Sequence, residues 1–369
     1  MESIFIIKAC LIFLSSLIFS FLINGLFLRF SKNLGIRNID DQVIRWNTTS
    51  KPAFGGISFF IVLLLLIVQY VLIFEDPYFT FDIQLIGIVL AISIAFLMGL
   101  ADDAYNTNPT LKFIIQAFCA LLLIITGTYI ETFSNIYWNY ALSFLWIVGL
   151  MNSINMLDNM DGASTSASLA ALLNMLVVLI YLNNPEPMIF ILITGIIAVL
   201  CGFLYYNWYP SKMYMGDSGS QFLGISLATF SILILWNFKS VEYSNPIALQ
   251  LILPALAFII PLSDTTTVVI NRLREGKSPF VGGRDHTTHH LSYLGFSDAS
   301  VILIIIGLGV STVIATVIAI NIENWKYLYT ILFLIFIIGI FLSLFLITVY
   351  NKKKDKQNER KENKAIQGN

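Results

Sequence analysis

Charge is scarce in this sequence. Of 369 residues only 12% are Asp, Glu, Lys or Arg, against 57% hydrophobic, and a chain so composed cannot clothe a soluble globule in polar surface. Cysteine is scarcer still. Cys10, Cys119 and Cys201 all fall inside apolar runs with no paired spacing and no neighbouring histidine, which removes both a disulfide framework and a thiolate zinc site. The apolar runs lack the two-residue alternation of a barrel strand, so a membrane β-barrel is excluded. Internal repeats are absent, and low complexity is confined to the C-terminal tail. A net charge of −1 with no basic domain leaves no nucleic-acid partner to expect.

What is present in quantity is apolar sequence. Mean hydropathy is +0.81, and runs long enough to cross a core of roughly 30 Å, at about 20 residues each, recur at 4–29, 55–74, 84–101, 112–130, 137–153, 164–182, 188–206, 221–238, 247–270, 299–320 and 327–349. Backbone unsatisfied in hydrocarbon is prohibitive, so these spans are expected to be helices. The fold class is all-α, a polytopic transmembrane bundle of about eleven helices. One integral domain should fill 1–350, with a basic polar tail over 351–369. The first run is too long for a signal-peptide core and has no basic n-region, so it is expected to stay as an anchor.

Orientation follows from the basic residues. Lys8, Lys239 and Lys326 stand on the side of the N-terminus, whereas the other eighteen of the 21 Lys and Arg fall on the opposite side. The positive-inside rule makes that second side cytoplasmic, giving N-out and C-in. The tail KKKDKQNERKENK reads as a solvated stop-transfer in contact with anionic lipid.

The unusual residues gather in loops of that same side. In GLADDAYNTNPTLKF, Asp102 and Asp103 end an apolar run, where adjacent carboxylates call for a cation or basic partner. Asn108-Pro109 reads as an N-cap and first helical position restarting a helix through Lys112 and Gln116. In NSINMLDNMDG, Asn152, Asn155, Asp158 and Asp161 recur every third residue and cannot share one face of a straight helix, so a break near Asp158 to Gly162 is implied. Such oxygens at a broken helix end suit a metal–diphosphate or nucleotide contact, or else cap an Asn-rich loop. In KMYMGDSGSQFLG, Gly216 and Gly219 allow close backbone approach, Asp217 supplies a hard oxygen ligand, and Ser218 and Ser220 are available to cap the next helix. The last such loop, PLSDTTTVVINRLREGKSPFVGGRDHTTHHL, carries Arg272, Arg274, Lys277 and Arg284 together with His286, His289 and His290, groups that can donate to phosphate oxygens, titrate or ligate a metal. Lys51-Pro52-Ala53-Phe54-Gly55-Gly56 opens the second span after a loop holding Asp40, Asp41 and Arg45, and its paired glycines permit tight packing or approach of a lipid headgroup.

Taken in order, K-P-x-x-G-G, D-D…L-K-F-x-x-Q, N-x-x-N-x-x-D-x-x-D-G, M-G-D-x-G-S-x-x-L-G and P-L-x-D…R…G-K-S-P-F followed by histidines resemble the polyprenyl-phosphate N-acetylhexosamine-1-phosphate transferases over residues 30 to 295. The resemblance leans toward the N-acetylglucosamine-1-phosphate branch rather than the muramoyl-pentapeptide branch. It implies transfer of a sugar-1-phosphate from a UDP-sugar to undecaprenyl or another polyprenyl phosphate at the cytoplasmic face of the inner membrane. Mg²⁺, or Mn²⁺ in its place, would be the cofactor, and a homodimer is compatible with the family. By position, Asp217 resembles the magnesium ligand, with Asn155 beside it. Asp102 and Asp103 resemble the lipid-phosphate pair, and Asn155, Asp158 and Asp161 the nucleotide-side motif. Asp102, Asp103, Asp158 and Asp161 are accordingly the catalytic candidates. Lys51, Lys112, Asn152, Asn155, Arg272, Lys277, Arg284, His286, His289 and His290 are the substrate-binding candidates. Two departures stand out. Asn159 occupies a place usually held by Gly, and the histidines run H-T-T-H-H rather than H-x-H-H, which puts Thr287 where the first histidine would align.

An anionic phosphate attacking an anionic diphosphate needs charge neutralisation and in-line placement. Direct attack by the lipid phosphate and a covalent aspartyl route both fit these residues. The competing class is a secondary transporter, whose ionisable site would lie near the bilayer midplane rather than at span ends.

Overall fold

In the computed structural model the described residues are 3–33, 51–74, 82–182, 186–239, 246–278 and 283–367, with side chains described as far as Asn351. The loop with Asp40, Asp41 and Arg45 and the Pro279-Phe280 step lie outside the described residues. Those residues form twelve helices and no strand: α1 (Ser3–Asn33), α2 (Gly55–Phe74), α3 (Ile83–Tyr105), α4 (Pro109–Ile125), α5 (Ile136–Leu157), α6 (Ala163–Tyr181), α7 (Pro187–Asn207), α8 (Gly216–Ser231), α9 (Pro246–Arg274), α10 (Thr287–Tyr293), α11 (Asp298–Ile320) and α12 (Tyr327–Gln367). Ten, counting α8 with the π-helical turn Ile232–Trp236 that continues it, have the length and apolarity to cross a membrane. The eleventh expected span, α4, is a shorter apolar helix of 17 residues, about 26 Å at 1.5 Å per residue. The chain is a multi-pass membrane protein.

Local sequence sets the helix ends. Asp82, Asn108, Asn135 and Ser297 each accept a backbone N–H of the helix they precede, with Pro109 at the first position of α4, satisfying donors that a helix start leaves open. At the other end of α3, Asn106 takes the left-handed conformation and closes onto the Asp102 carbonyl. The α5–α6 break falls where the triplet spacing required it: α5 stops at Leu157, and Gly162, at φ 69°, turns the chain into α6.

Helix α8 with its π-helical turn is the hub, almost wholly enclosed by α2, α3 and α5, with α6 beyond and α9 against the π-helical turn. Its N-terminal turn is gripped by glycines. A Cβ on Gly56 of α2 would lie 2.1 Å from the Gly219 nitrogen, and one on Gly99 of α3 would lie 2.3 Å from the Asp217 carbonyl oxygen. The paired glycines opening α2 therefore serve packing. Because lipid supplies no hydrophobic drive between helices, small-residue contact and polar bonds tie them. Gln116 of α4 donates to Gln221 of α8 at 3.0 Å and accepts from Asn152 of α5 at 2.8 Å. Asn174 of α6 donates to Thr312 of α11 at 3.2 Å and accepts from Thr316 at 2.6 Å.

Candidate functional site

The ends of α3, α5, α7 and α9 and the starts of α2, α4, α6 and α8 meet at one end of the bundle, and side chains from five sequence segments touch there. Asp103, at the last turn of α3, accepts the Asp217 N–H at 2.8 Å on one oxygen and the Ser218 N–H at 2.9 Å on the other. The expectation that Ser218 and Ser220 cap α8 is thus corrected: neither serine does so, because a carboxylate from the neighbouring helix reaches the open N–H groups and adds charge favourable to a helix start. Asp103 is correspondingly turned into the α3–α8 junction.

Asp102 faces the other way. It accepts from the Thr107 backbone N–H at 2.8 Å and from the Thr107 hydroxyl, and pairs with Lys112 at 3.0 Å. Lys112 also stands 3.4 Å from Asp217 and 3.4 Å from the Asn155 carboxamide oxygen. Asn155 in turn donates to Asp217 and, at 2.8 Å, to Ser220. Asp217, a third exposed on its side chain, is thereby the meeting point of α3, α4, α5 and α8.

Asp158 follows as the C-cap of α5. It retains partial solvent contact, yet dense protein around it, reinforced by the negative charges of Asp217, Asp103 and Asp161, pushes its carboxyl up to about 8. Asp161 is held by Ser211, whose N–H and hydroxyl donate at 2.8 and 2.7 Å, and by Lys51 at 3.4 Å. Lys51 reaches Ser211 at 2.9 Å and lies 5.1 Å from the centre of the Tyr214 ring, a cation–π distance. Buried Asn207 locks this corner: its carboxamide oxygen accepts from Gly162 N–H at 3.1 Å and Thr165 at 2.8 Å, while its NH₂ donates to the Met213 carbonyl at 3.1 Å.

The last loop contributes less directly. Arg272 is buried in a two-pronged pair with Asp285, at 2.8 and 2.7 Å, which holds the Asp285 carboxyl below the usual range even against its burial. Lys277 is exposed and pairs with Glu275 at 2.8 Å, and Arg284 offers its carbonyl to Tyr293 at 3.2 Å. Arg272 and Lys277 of this segment thus pair with local acids, and Arg274 lies over the Phe345 ring at 5.4 Å. His290 faces away from the acids: its ring lies edge-on to Tyr293 at 5.5 Å, and its carbonyl accepts from Asn351 of α12 at 2.7 Å. His289 is held neutral, its pKa lowered to about 4 by burial and by the neighbouring His286. His286 meets Asp264 at 2.8 Å. Thr288 donates to Asn159 at 2.6 Å, so the Asn in place of the usual Gly ties the acid loop to α10. Asn152 likewise turns into the Gln116 network rather than the cleft.

Sequence reasoning missed Asn207, Ser211 and Asp264. Ser211 and Asn207 carry no signal in an alternation of aromatic and small residues, whereas the P-L-x-D pattern contained Asp264 and an acid in the last third of an apolar span could have marked it. Among the described residues no three His, Cys, Asp or Glu side chains converge as a metal cage.

Against this geometry, residues 85–235 match the sequence profile of glycosyl transferase family 4. The chain is 29% identical over 317 residues to a probable undecaprenyl-phosphate N-acetylglucosaminyl 1-phosphate transferase of Bacillus subtilis, covering 84% of this chain and 81% of that one. It is 25% identical over 285 residues to a decaprenyl-phosphate N-acetylglucosaminephosphotransferase of Mycobacterium leprae, covering 70% and 71%. A phospho-N-acetylmuramoyl-pentapeptide-transferase of Prochlorococcus marinus is 33% identical over 218 residues, covering 52% and 57%.

Proposed function

We propose that this chain, which matches glycosyl transferase family 4 over residues 85–235, transfers N-acetylglucosamine-1-phosphate from a UDP-sugar to undecaprenyl or another polyprenyl phosphate and releases UMP. The observation that carries the reading is the junction at Asp217, where Lys112, Asn155 and the start of α8 converge among Asp102, Asp103 and Asp158. The relatives whose names carry this activity align over most of both chains, whereas the muramoyl-pentapeptide relative aligns over about half. That difference favours the N-acetylglucosamine donor.

Mg²⁺ fits the donor set. Asp217 and the Asn155 carboxamide are hard oxygen donors, and the crowding of carboxylates that raises Asp158 is what a divalent cation offsets. Mg²⁺ takes one or two carboxylates plus substrate phosphates, so a three-acid cage is not required. When bound, the ion would neutralise charge on the diphosphate of the donor.

The protein's own residues do the rest. Asp103 fixes the start of α8 and with it Asp217, so it positions the centre rather than touching the lipid phosphate. Lys112, restrained by Asp102, presents a cation to the phosphates. Asp158, at the break after α5, is the carboxylate placed to exchange a proton with the acceptor phosphate. Lys51, Asp161 and Tyr214 form a polar and aromatic corner for the nucleoside end. An oxygen of the lipid phosphate attacks in line the phosphorus that carries the sugar, the bond from that phosphorus to the oxygen it shares with the uridine-side phosphorus breaks, and UMP departs with that oxygen. The basic asymmetry of the loops supports an inner-membrane enzyme, N-out and C-in, with this site at the cytoplasmic face; a homodimer is compatible with it.

The test is incorporation: purified protein with Mg²⁺ and undecaprenyl phosphate, given a panel of radiolabelled UDP-sugars, should move label into the lipid phase from UDP-N-acetylglucosamine. Label from UDP-N-acetylmuramoyl-pentapeptide instead would transfer the reading to that branch. No label from any donor would favour a transporter.

A further inference from the structure

The acid loop after α5 and the histidine segment lie 129 residues apart in sequence and are joined by a side-chain hydrogen bond. The Thr288 hydroxyl donates to the Asn159 carboxamide oxygen at 2.6 Å, and the Asn159 NH₂ donates to the Met156 carbonyl at 2.8 Å, one of the carbonyls that the end of α5 leaves open. Thr288 is buried. Leu157 and Met160, which bracket Asp158 and Asn159, belong to one buried apolar cluster with Leu291, which stands one turn along α10 from Thr288. Where apolar packing limits water, a hydroxyl or carboxamide left without its bond is costly. The start of α10 is held at the neighbouring residue too, since Thr287 donates its N–H and its hydroxyl to buried Asp264 of α9, each at 2.7 Å.

We infer that Asn159 and Thr288 are positioning residues, a strap that sets where the break after α5 places Asp158 and makes that break and the start of α10 loosen or tighten as one unit. Asp158 is the C-cap of α5 and the residue before Asn159, so a shift of the Asn159 backbone moves it directly. The far half of the loop is fixed independently, Asp161 by Ser211 and Lys51 and Gly162 by Asn207, so the strap acts on the Asp158 half. The two departures from the family pattern meet here: Asn159 supplies the acceptor, and the threonine pair within the histidine run supplies the donor. The effect on catalysis rests on the transfer reading above, whereas the tie between the two segments does not.

The test uses the full-length protein in detergent. Thr288→Val keeps the branched shape without the hydroxyl, Thr288→Ser keeps the hydroxyl, and Asn159→Ala removes the acceptor. Amide hydrogen exchange is followed in peptides covering 158–162 and 287–291, with α1 as the remote reference. Thr288→Val should speed exchange about tenfold in both segments although it alters only the second, and Asn159→Ala should do the same from the other side. Thr288→Ser should stay within about twofold of wild type. In the transfer assay Thr288→Val and Asn159→Ala should each lower kcat roughly tenfold with KM for both substrates little changed, the mark of a misplaced group rather than a lost substrate contact. The double variant should lie within about twofold of the worse single one, because both remove one bond. Exchange that quickens only in the altered segment, or equally in α1, overturns the inference. So do a Thr288→Ser that behaves like Thr288→Val, or losses that multiply in the double variant. Should Asn159→Ala fail to fold, the two Thr288 variants decide. Coupled exchange in a folded protein that moves no label to lipid would instead sink the transfer reading, and with it the effect on kcat, while the tie itself stands.

Discussion

Apart from Lys112 at 3.4 Å, the neighbours that hold Asp217 do not need it to be charged. Asn155 donates to it, Asp103 caps its backbone and Gly99 packs on its carbonyl. An Asn at this position can keep the shape of the junction while removing the charge that faces a cation. Asp217→Asn should therefore leave the melting temperature in detergent within a few degrees of wild type and abolish sugar-phosphate transfer. Substantial turnover at saturating Mg²⁺ would remove Asp217 from the metal site. Lys112 belongs to the same scale: its ammonium lies between Asp102 and Asp217, so the adjacent acids expected to need a basic partner have one.

At the scale of elements, the placement of Asp217 depends on how closely α8 sits against α2 and α3. A methyl at Gly56 would collide with backbone, which cannot rotate aside, whereas a Cβ on Gly149 meets nothing within 4 Å. Overpacking of this kind costs about 1–3 kcal/mol. Gly56→Ala should lower both the melting temperature and the transfer rate, and Gly149→Ala should change neither; equal behaviour of the two would mean that the glycine contact does not set the site. Much of this level was legible in the sequence. The helix break before Gly162 followed from triplet spacing, and the restart at Asn108-Pro109 from capping chemistry. What one sequence could not supply was the partner of each group across helices. That Asp103 caps α8, that Arg272 pairs with Asp285, and that the His290 carbonyl accepts from Asn351 of α12 are consequences of tertiary approach, which spacing along one segment does not encode. Asp264 was hidden for the same reason: within its own helix it is one acid among threonines, and its meaning comes from the histidine segment packed on it.

For the whole molecule, the segments that carry unusual residues converge on one end of the bundle, as Lys51 with Asp161, Asp103 with Asp217 and Thr288 with Asn159 attest. On the opposite end Lys239 pairs with Glu131 at 2.7 Å. If the first end is cytoplasmic, as proposed, a reporter active only in the periplasm should be silent after Asn106, Asn159, Ser218 or Arg284 and active after Asp76, Asn184 or Ser244; activity at any of the first four would break the shared site. At this end, on the proposed reading, a sugar-phosphate is exchanged between UMP and a lipid phosphate. One phosphoanhydride is broken and a similar one made, so the reaction should run near equilibrium and backwards through the same transition state. Labelled UMP incubated with the wild-type protein, lipid-linked N-acetylglucosamine diphosphate and Mg²⁺ should appear in UDP-N-acetylglucosamine, and excess EDTA should stop it. Label that stays in UMP while the folded protein has product and Mg²⁺ in excess would rule out sugar-phosphate transfer by single displacement at this end.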